Sequence, residues 1–160
     1  MSEAELRQEV EALRKRLEVE GRMRGTVIRV LTEAFVKEYG EAALAVAAKA
    51  HAEMSRPLLE RLMQRHALPG DARGAAQLLT LLHTLGGVQG EVVESNPERS
   101  VRRERKCPFQ DVWTPDMCHQ FSPAIMEVIC QVVDPGLTSH HTSYLSGGDP
   151  TCDIVFEMAK

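Results

Sequence analysis

The sequence predicts an α+β fold, with a helical N-terminal half packed with a small antiparallel β-sheet in the C-terminal half. Three observations carry that reading. Up to Leu85 the apolar residues recur at spacings of three and four, as one face of a helix requires. After Gly86-Gly87 they alternate instead, which is the period of a half-buried strand. Two pairs of such segments flank the Pro-containing turns "NPE" and "SGGDP", the punctuation of β-hairpins.

Taken in order, Leu6, Val10, Leu13 and Leu17 are spaced four, three and four, with charges almost everywhere else. This is a narrow heptad seam. At about two and a half heptads it is marginal as an isolated helix, so residues 1–20 are expected to pair with another helix. A second copy of the chain in a homodimer would serve, as would the single α+β domain of residues 21–160. That domain divides into a helical part, 21–86, and hairpins with a helix, 87–160. A second helix is expected from Met23 to Tyr39 with Gly40 ending it. A third, from Glu41 to about His66, contains Pro57, which should kink or divide it. Asp71 is placed to cap a fourth helix through Leu78, Leu79 and Leu85. In "WTPDMCHQFSPAIMEVICQVVDPG" both Thr114-Pro115 and Ser122-Pro123 read as helix starts, each a capping hydroxyl followed by proline.

Composition narrows the function classes. The 160 residues suit one domain, and 43% hydrophobic with 26% charged residues is globular. No apolar run approaches a membrane span, and the charged start lacks a secretory leader; the expectation is a cytoplasmic protein with reduced thiols. A net charge of −4, signs interleaved, offers no footprint for nucleic acid or anionic membrane. The one basic run, "RSVRRERK", alternates and reads as a solvated strand face. The expected partner is a small-molecule substrate.

Chemistry is concentrated in the cysteines. Cys130, in "AIMEVICQVV", reads as a buried structural thiol. Cys118 lies four residues after the Thr114 cap, where a helix N-terminus stabilises a thiolate, and His119 is its neighbour in sequence. Consecutive helical residues face different ways, so His119 need not be its partner. In the last strand Cys152, Ile154, Phe156 and Met158 share one face. With residues 146–151 as the loop, Leu145 lies opposite Cys152, Ser143 and His141 continue inward, and His140, Thr142 and Tyr144 point out; a slip of one residue exchanges the two histidines. Two sites are open. A thiolate could attack an electrophilic carbon while a histidine or Asp149 moves protons. Alternatively Cys107, Cys118, Cys152 and a histidine, His140 among the candidates, could close a tetrahedral site for zinc. No C-x-x-C knuckle, Gly-rich phosphate loop, H-E-x-x-H or G-x-S-x-G motif is present.

The sequence of Cys107-Pro108, then Cys118, then "GDPTCDIVF" with Gly148, Asp149, Cys152 and Phe156 resembles the L-2-amino-thiazoline-4-carboxylic acid hydrolase-like family over roughly residues 88–158. The resemblance implies hydrolytic opening of a small ring at the carbon between sulfur and nitrogen. It makes Cys118 or Cys107 the nucleophile or metal ligand, Cys152 a second thiol, and Asp149 with His141 or His140 the proton handlers. The order of elements also resembles the vinyl-reductase-type domain, which implies a sensor module binding small hydrophobic ligands or metals. The heptad helix alone would suit a structural dimeric adaptor.

Overall fold

A capping box opens the first helix. The Ser2 hydroxyl accepts from the Glu5 N–H, and the Glu5 carboxylate accepts from the Ser2 N–H at 2.6 Å. From there α1 (Glu3–Tyr39) runs for 37 residues, about 55 Å at 1.5 Å per residue, until Gly40 takes a φ of +85°. The heptad seam and the helix from Met23, expected as two segments, are one. The computed structural model describes residues 2–159.

Helix α2 (Ala42–Arg65) passes through Pro57 undivided. The missing hydrogen bond is offset by tertiary packing, because Ala52 and Leu59 on either side of the proline are fully buried in the helix's long contact with α4 (Pro115–Val133). Asp71 caps α3 (Ala72–Gly86) as expected, accepting from the N–H groups of Arg73 and Gly74 at 2.9 and 3.2 Å. Thr114 caps α4 in the same way, but the second expected start does not exist. Pro123 sits inside α4, and the Ser122 hydroxyl is turned to a different partner, described below.

The strands are β1 (Gln89–Ser95), β2 (Arg99–Lys106), β3 (Leu137–His141) and β4 (Cys152–Met158). They form one antiparallel sheet in the order β1-β2-β4-β3, so β2 and β4 are central. That position corrects the reading of the basic run. Ser100, Arg102 and Glu104 alternate inward and are buried. On the other face Arg103 forks onto Asp153, and Arg105 and Arg99 pair with Glu91 and Glu94. The last hairpin is also shorter than expected. Pairing ends at His141 opposite Ile154, and Leu145 lies in a 3₁₀ turn (Leu145–Gly147) rather than opposite Cys152, whose partner is Glu104.

The larger core joins α2, α3 and α4 to the inner sheet face through Leu59, Leu78, Leu79, Ile129, Ile154 and Phe156. Each of these buried side chains contributes roughly 1.5–3 kcal/mol. Cys130 belongs to it, as the sequence indicated. A second cluster gathers Ala48, Trp113, Met117 and Phe121.

Candidate ligand cavity

Between the two clusters lies a cavity of about 650 Å³, within the range of small-molecule sites. One helical face of α2 supplies His51, Met54, Ser55 and Leu58, and one face of α4 supplies Cys118, Ser122, Ile125 and Met126; the spacings of three and four align these side chains. The sheet closes the floor with Glu104, Cys152 and Ile154, and α1 and α3 bring Val27, Ile28, Leu82 and His83. The lining is overwhelmingly apolar.

One wall depends on two glycines of α1. A Cβ at Gly21 would meet the Gly86 carbonyl at 2.5 Å and the Pro108 ring at 3.0 Å, and a Cβ at Gly25 would meet the Phe109 ring at 2.7 Å. The notch they leave admits the segment after β2. There the Trp113 indole stacks on Phe109 with centroids 4.7 Å apart, and its Nε1 donates to the Gly25 carbonyl at 3.1 Å.

The polar groups at the cavity are largely engaged already. Arg102, 1% exposed, donates from Nε to Glu104 Oε1 at 2.7 Å and from its terminal nitrogen to the Thr80 hydroxyl at 2.7 Å. His83 donates from Nδ1 to the same Glu104 oxygen at 2.7 Å. Burial pushes the Glu104 carboxyl up, but the charges and hydrogen bonds of His83 and Arg102 outweigh it and hold the group below its ordinary range. On the far side Ser122 Oγ and His141 Nε2 share a hydrogen bond of 2.8 Å, and Tyr144 stacks on the His141 ring at 4.6 Å. Ser122 thus anchors a histidine instead of capping a helix. Burial lowers the His51 pKa from its ordinary value, and its Nδ1 has no hydrogen-bond partner among the described residues.

Burial, reinforced by His83, His119 and His140, lowers the His141 pKa from 6.5 to about 4. A histidine held neutral contributes stability above its unfolded pKa and loses it as protons bind the unfolded chain preferentially. Unfolding free energy should therefore fall by about 3 kcal/mol between pH 7 and pH 4 from this group. Urea titrations across that window should show the fall, and it should flatten in H141Q; an equal slope in both proteins would contradict the assignment.

The three thiols singled out in the sequence, Cys107, Cys118 and Cys152, do line this one cavity. Burial governs all of them. Cys107 and Cys152 are each pushed up to about 12, and Cys118 is raised despite its place at the start of α4. Desolvation of the anion outweighs the helix terminus there. The other sequence candidates lie elsewhere. His119 is exposed with its ring edge on Tyr144 at 4.3 Å. Asp149 is exposed and accepts from the Tyr144 N–H at 2.8 Å, closing the turn. His141 faces inward as the strand period indicated. His140 points to the opposite face, 3.7 Å from Glu157, because neighbours in a strand alternate, so it cannot complete a set with the cysteines. Among the described residues no group of three or more His, Cys, Asp or Glu side chains is arranged to hold a metal ion. Tyr144, expected to point outward, lines the cavity, since the chain leaves the strand after His141.

Sequence reasoning missed His51, His83, Glu104 and Trp113. Glu104 had a signal: Arg102 and Glu104, two apart in an alternating run, share a face, and on a central strand that face is buried.

No family model matches the chain, and no curated protein matches it. Two solved structures match it in fold. One is a trafficking protein particle complex subunit 3 from Naegleria fowleri covalently bound to palmitic acid, with a TM-score of 0.63 at 12% identity, covering 89% of this chain and 96% of that one. The other is the phenol-responsive sensory domain of the transcription activator PoxR with phenol, with a TM-score of 0.52 at 14% identity, covering 86% of this chain and 74% of that one. The likeness is one of fold. The resemblance to the thiazoline hydrolase-like family gains no support from these matches. Among the described residues no helix is long and apolar enough to cross a membrane.

Proposed function

We propose that this chain is a binding module for an apolar small molecule that carries few hydrogen-bonding groups, the sensor-type reading of the sequence. The observation that supports it is the cavity of about 650 Å³, whose wall is apolar and whose one carboxylate, Glu104, is already paired with His83 and Arg102. A ligand entering it displaces water from apolar surface without having to unpair Glu104. Both structural neighbours carry an apolar guest, palmitic acid in one and phenol in the other, which favours the same reading. Hydrolytic ring opening by a cysteine needs an ionised thiol, and burial opposes ionisation at all three cavity thiols.

The test uses the neutral fluorophore N-phenyl-1-naphthylamine, titrated into the wild type and into I125W, which fills the cavity from α4. Saturable uptake by the wild type is expected, with a Kd at least about tenfold weaker in I125W, roughly 1.4 kcal/mol or more. I125F, a smaller filling, should fall between them. No uptake by the wild type, or equal uptake by all three, would sink the reading.

A further inference from the structure

The cavity is not closed on all sides. Met23, Val27, Met54 and Leu85 line it and are nonetheless 64%, 54%, 72% and 47% exposed, so they form an apolar rim at its mouth. Arg24 stands on that rim. It is exposed, it follows Met23 and precedes Val27 on α1, and it is the only arginine or lysine that lines the cavity. Its side chain is fastened at two points. Nε donates to the Glu20 carbonyl at 3.3 Å, and a terminal nitrogen donates to the Leu85 carbonyl at 3.2 Å. The bond to Leu85 crosses from α1 to α3, which keeps the guanidinium at the edge of the opening.

What this guanidinium lacks is a counter-charge. Among the described residues Arg24 forms no ion pair. Glu20, one turn before it, is taken by Arg16 at 2.9 Å, and Glu104, the only carboxylate side chain in the cavity wall, is bound to His83 and Arg102. Its two carbonyl bonds leave most of the five N–H donors of an arginine free, enough for the two-pronged grip that suits a carboxylate. The apolar interior and the unpaired cation at its mouth together specify an amphiphile. A charge carried inside would have to be desolvated at high cost, whereas a charge kept at the exposed rim stays hydrated on one side and meets Arg24 on the other. Met23 and Met54, unbranched and pliable, mould to whatever passes between the two.

We propose that the guest is a monocarboxylate with an apolar tail, its tail in the cavity and its carboxylate held at the mouth by Arg24. This rests on the binding reading and adds the class of molecule bound and the direction in which it lies. One unpaired cation suits one negative charge, and a cationic head in the same place is repelled.

Decanoate and decyltrimethylammonium share one tail and differ in the sign of the head. Each is titrated, below its micelle threshold, against N-phenyl-1-naphthylamine bound to the full chain, as wild type, R24Q and R24E. The ratio of the two inhibition constants is taken within each protein, which removes any difference in probe affinity. In the wild type decanoate should bind at least about tenfold more tightly than decyltrimethylammonium, and the preference should shrink in high salt. R24Q should bring the ratio to about one and R24E should invert it. Arg24 is exposed, so circular dichroism should show the fold retained in both variants. Equal binding of the two guests by the wild type would overturn the proposal, as would a preference for decanoate that survives in R24E; in either case uptake of the probe leaves the binding reading standing. A wild type that takes up no probe would sink both.

Discussion

Replacing Glu104 by alanine is expected to cost about 3–5 kcal/mol of stability, the range for leaving one member of a buried ion pair without its partner. Arg102 is 1% exposed and Glu104 2%, so the guanidinium left behind is a buried charge without its counter-charge. Its remaining bond to Thr80 satisfies one nitrogen and none of its charge. Urea denaturation followed by circular dichroism measures the loss directly. The double variant R102M/E104L should recover most of it, because an apolar pair of similar volume removes the need for compensation. A loss below about 1 kcal/mol in E104A would mean that Arg102 is solvated in solution. For a module whose cavity floor includes Glu104, the network has a second effect. It keeps the charged groups paired and leaves the ligand an apolar wall.

The second large effect concerns the thiols. At pH 7 a cysteine raised from 9 to about 12 has its thiolate fraction cut about a thousandfold. The greater basicity of the thiolate that remains returns part of that. Alkylation of Cys107 and Cys152 by iodoacetamide should therefore run at least about thirtyfold slower in the native protein than in urea. Peptide mass mapping over time separates the four sites. Cys130, buried in the core, should be slow as well. Rapid native labelling of Cys118 would revive the hydrolytic reading, since it would mean that the thiol at the start of α4 is accessible and ionised.

The helices were legible in the sequence because their ends carry local chemistry. Asp71 and Thr114 each accept backbone N–H groups of the turn that follows, and Gly40 terminates α1 with a positive φ, all within a few residues. The prolines were misread because their effect is set at a distance. Pro57 and Pro123 lie within helices whose flanking residues are buried against one another, and that packing outweighs the hydrogen bond each removes. The same division holds at the cavity. The strand period alone put His141 and Cys152 on the inner face, and the three thiols do share one space. Nothing local marks His51, His83 and Glu104 as neighbours; α2, α3 and β2 meet there only through the tertiary fold. The environment was equally invisible. A cysteine near a helix start reads as an activated thiol until the burial around it is known, and here burial prevails.

The strand order has a bearing on how the chain reaches this state. β4 is the last of the four strands in sequence, yet it pairs with β2 on one side and β3 on the other. As the chain emerges from the ribosome, all four helices and the β1–β2 hairpin are present before the strand that joins them. Until Cys152–Met158 arrives, β2 exposes an unpaired edge, β3 has no partner, and the inner face carrying Arg102 and Glu104 lacks Ile154 and Phe156 beside it. The pairing of β2 with β4 spans some fifty residues, as in Arg103 with Asp153, and contacts of that range form late. Folding of this molecule thus ends with the insertion of β4 between a hairpin already made and a strand that has no other partner.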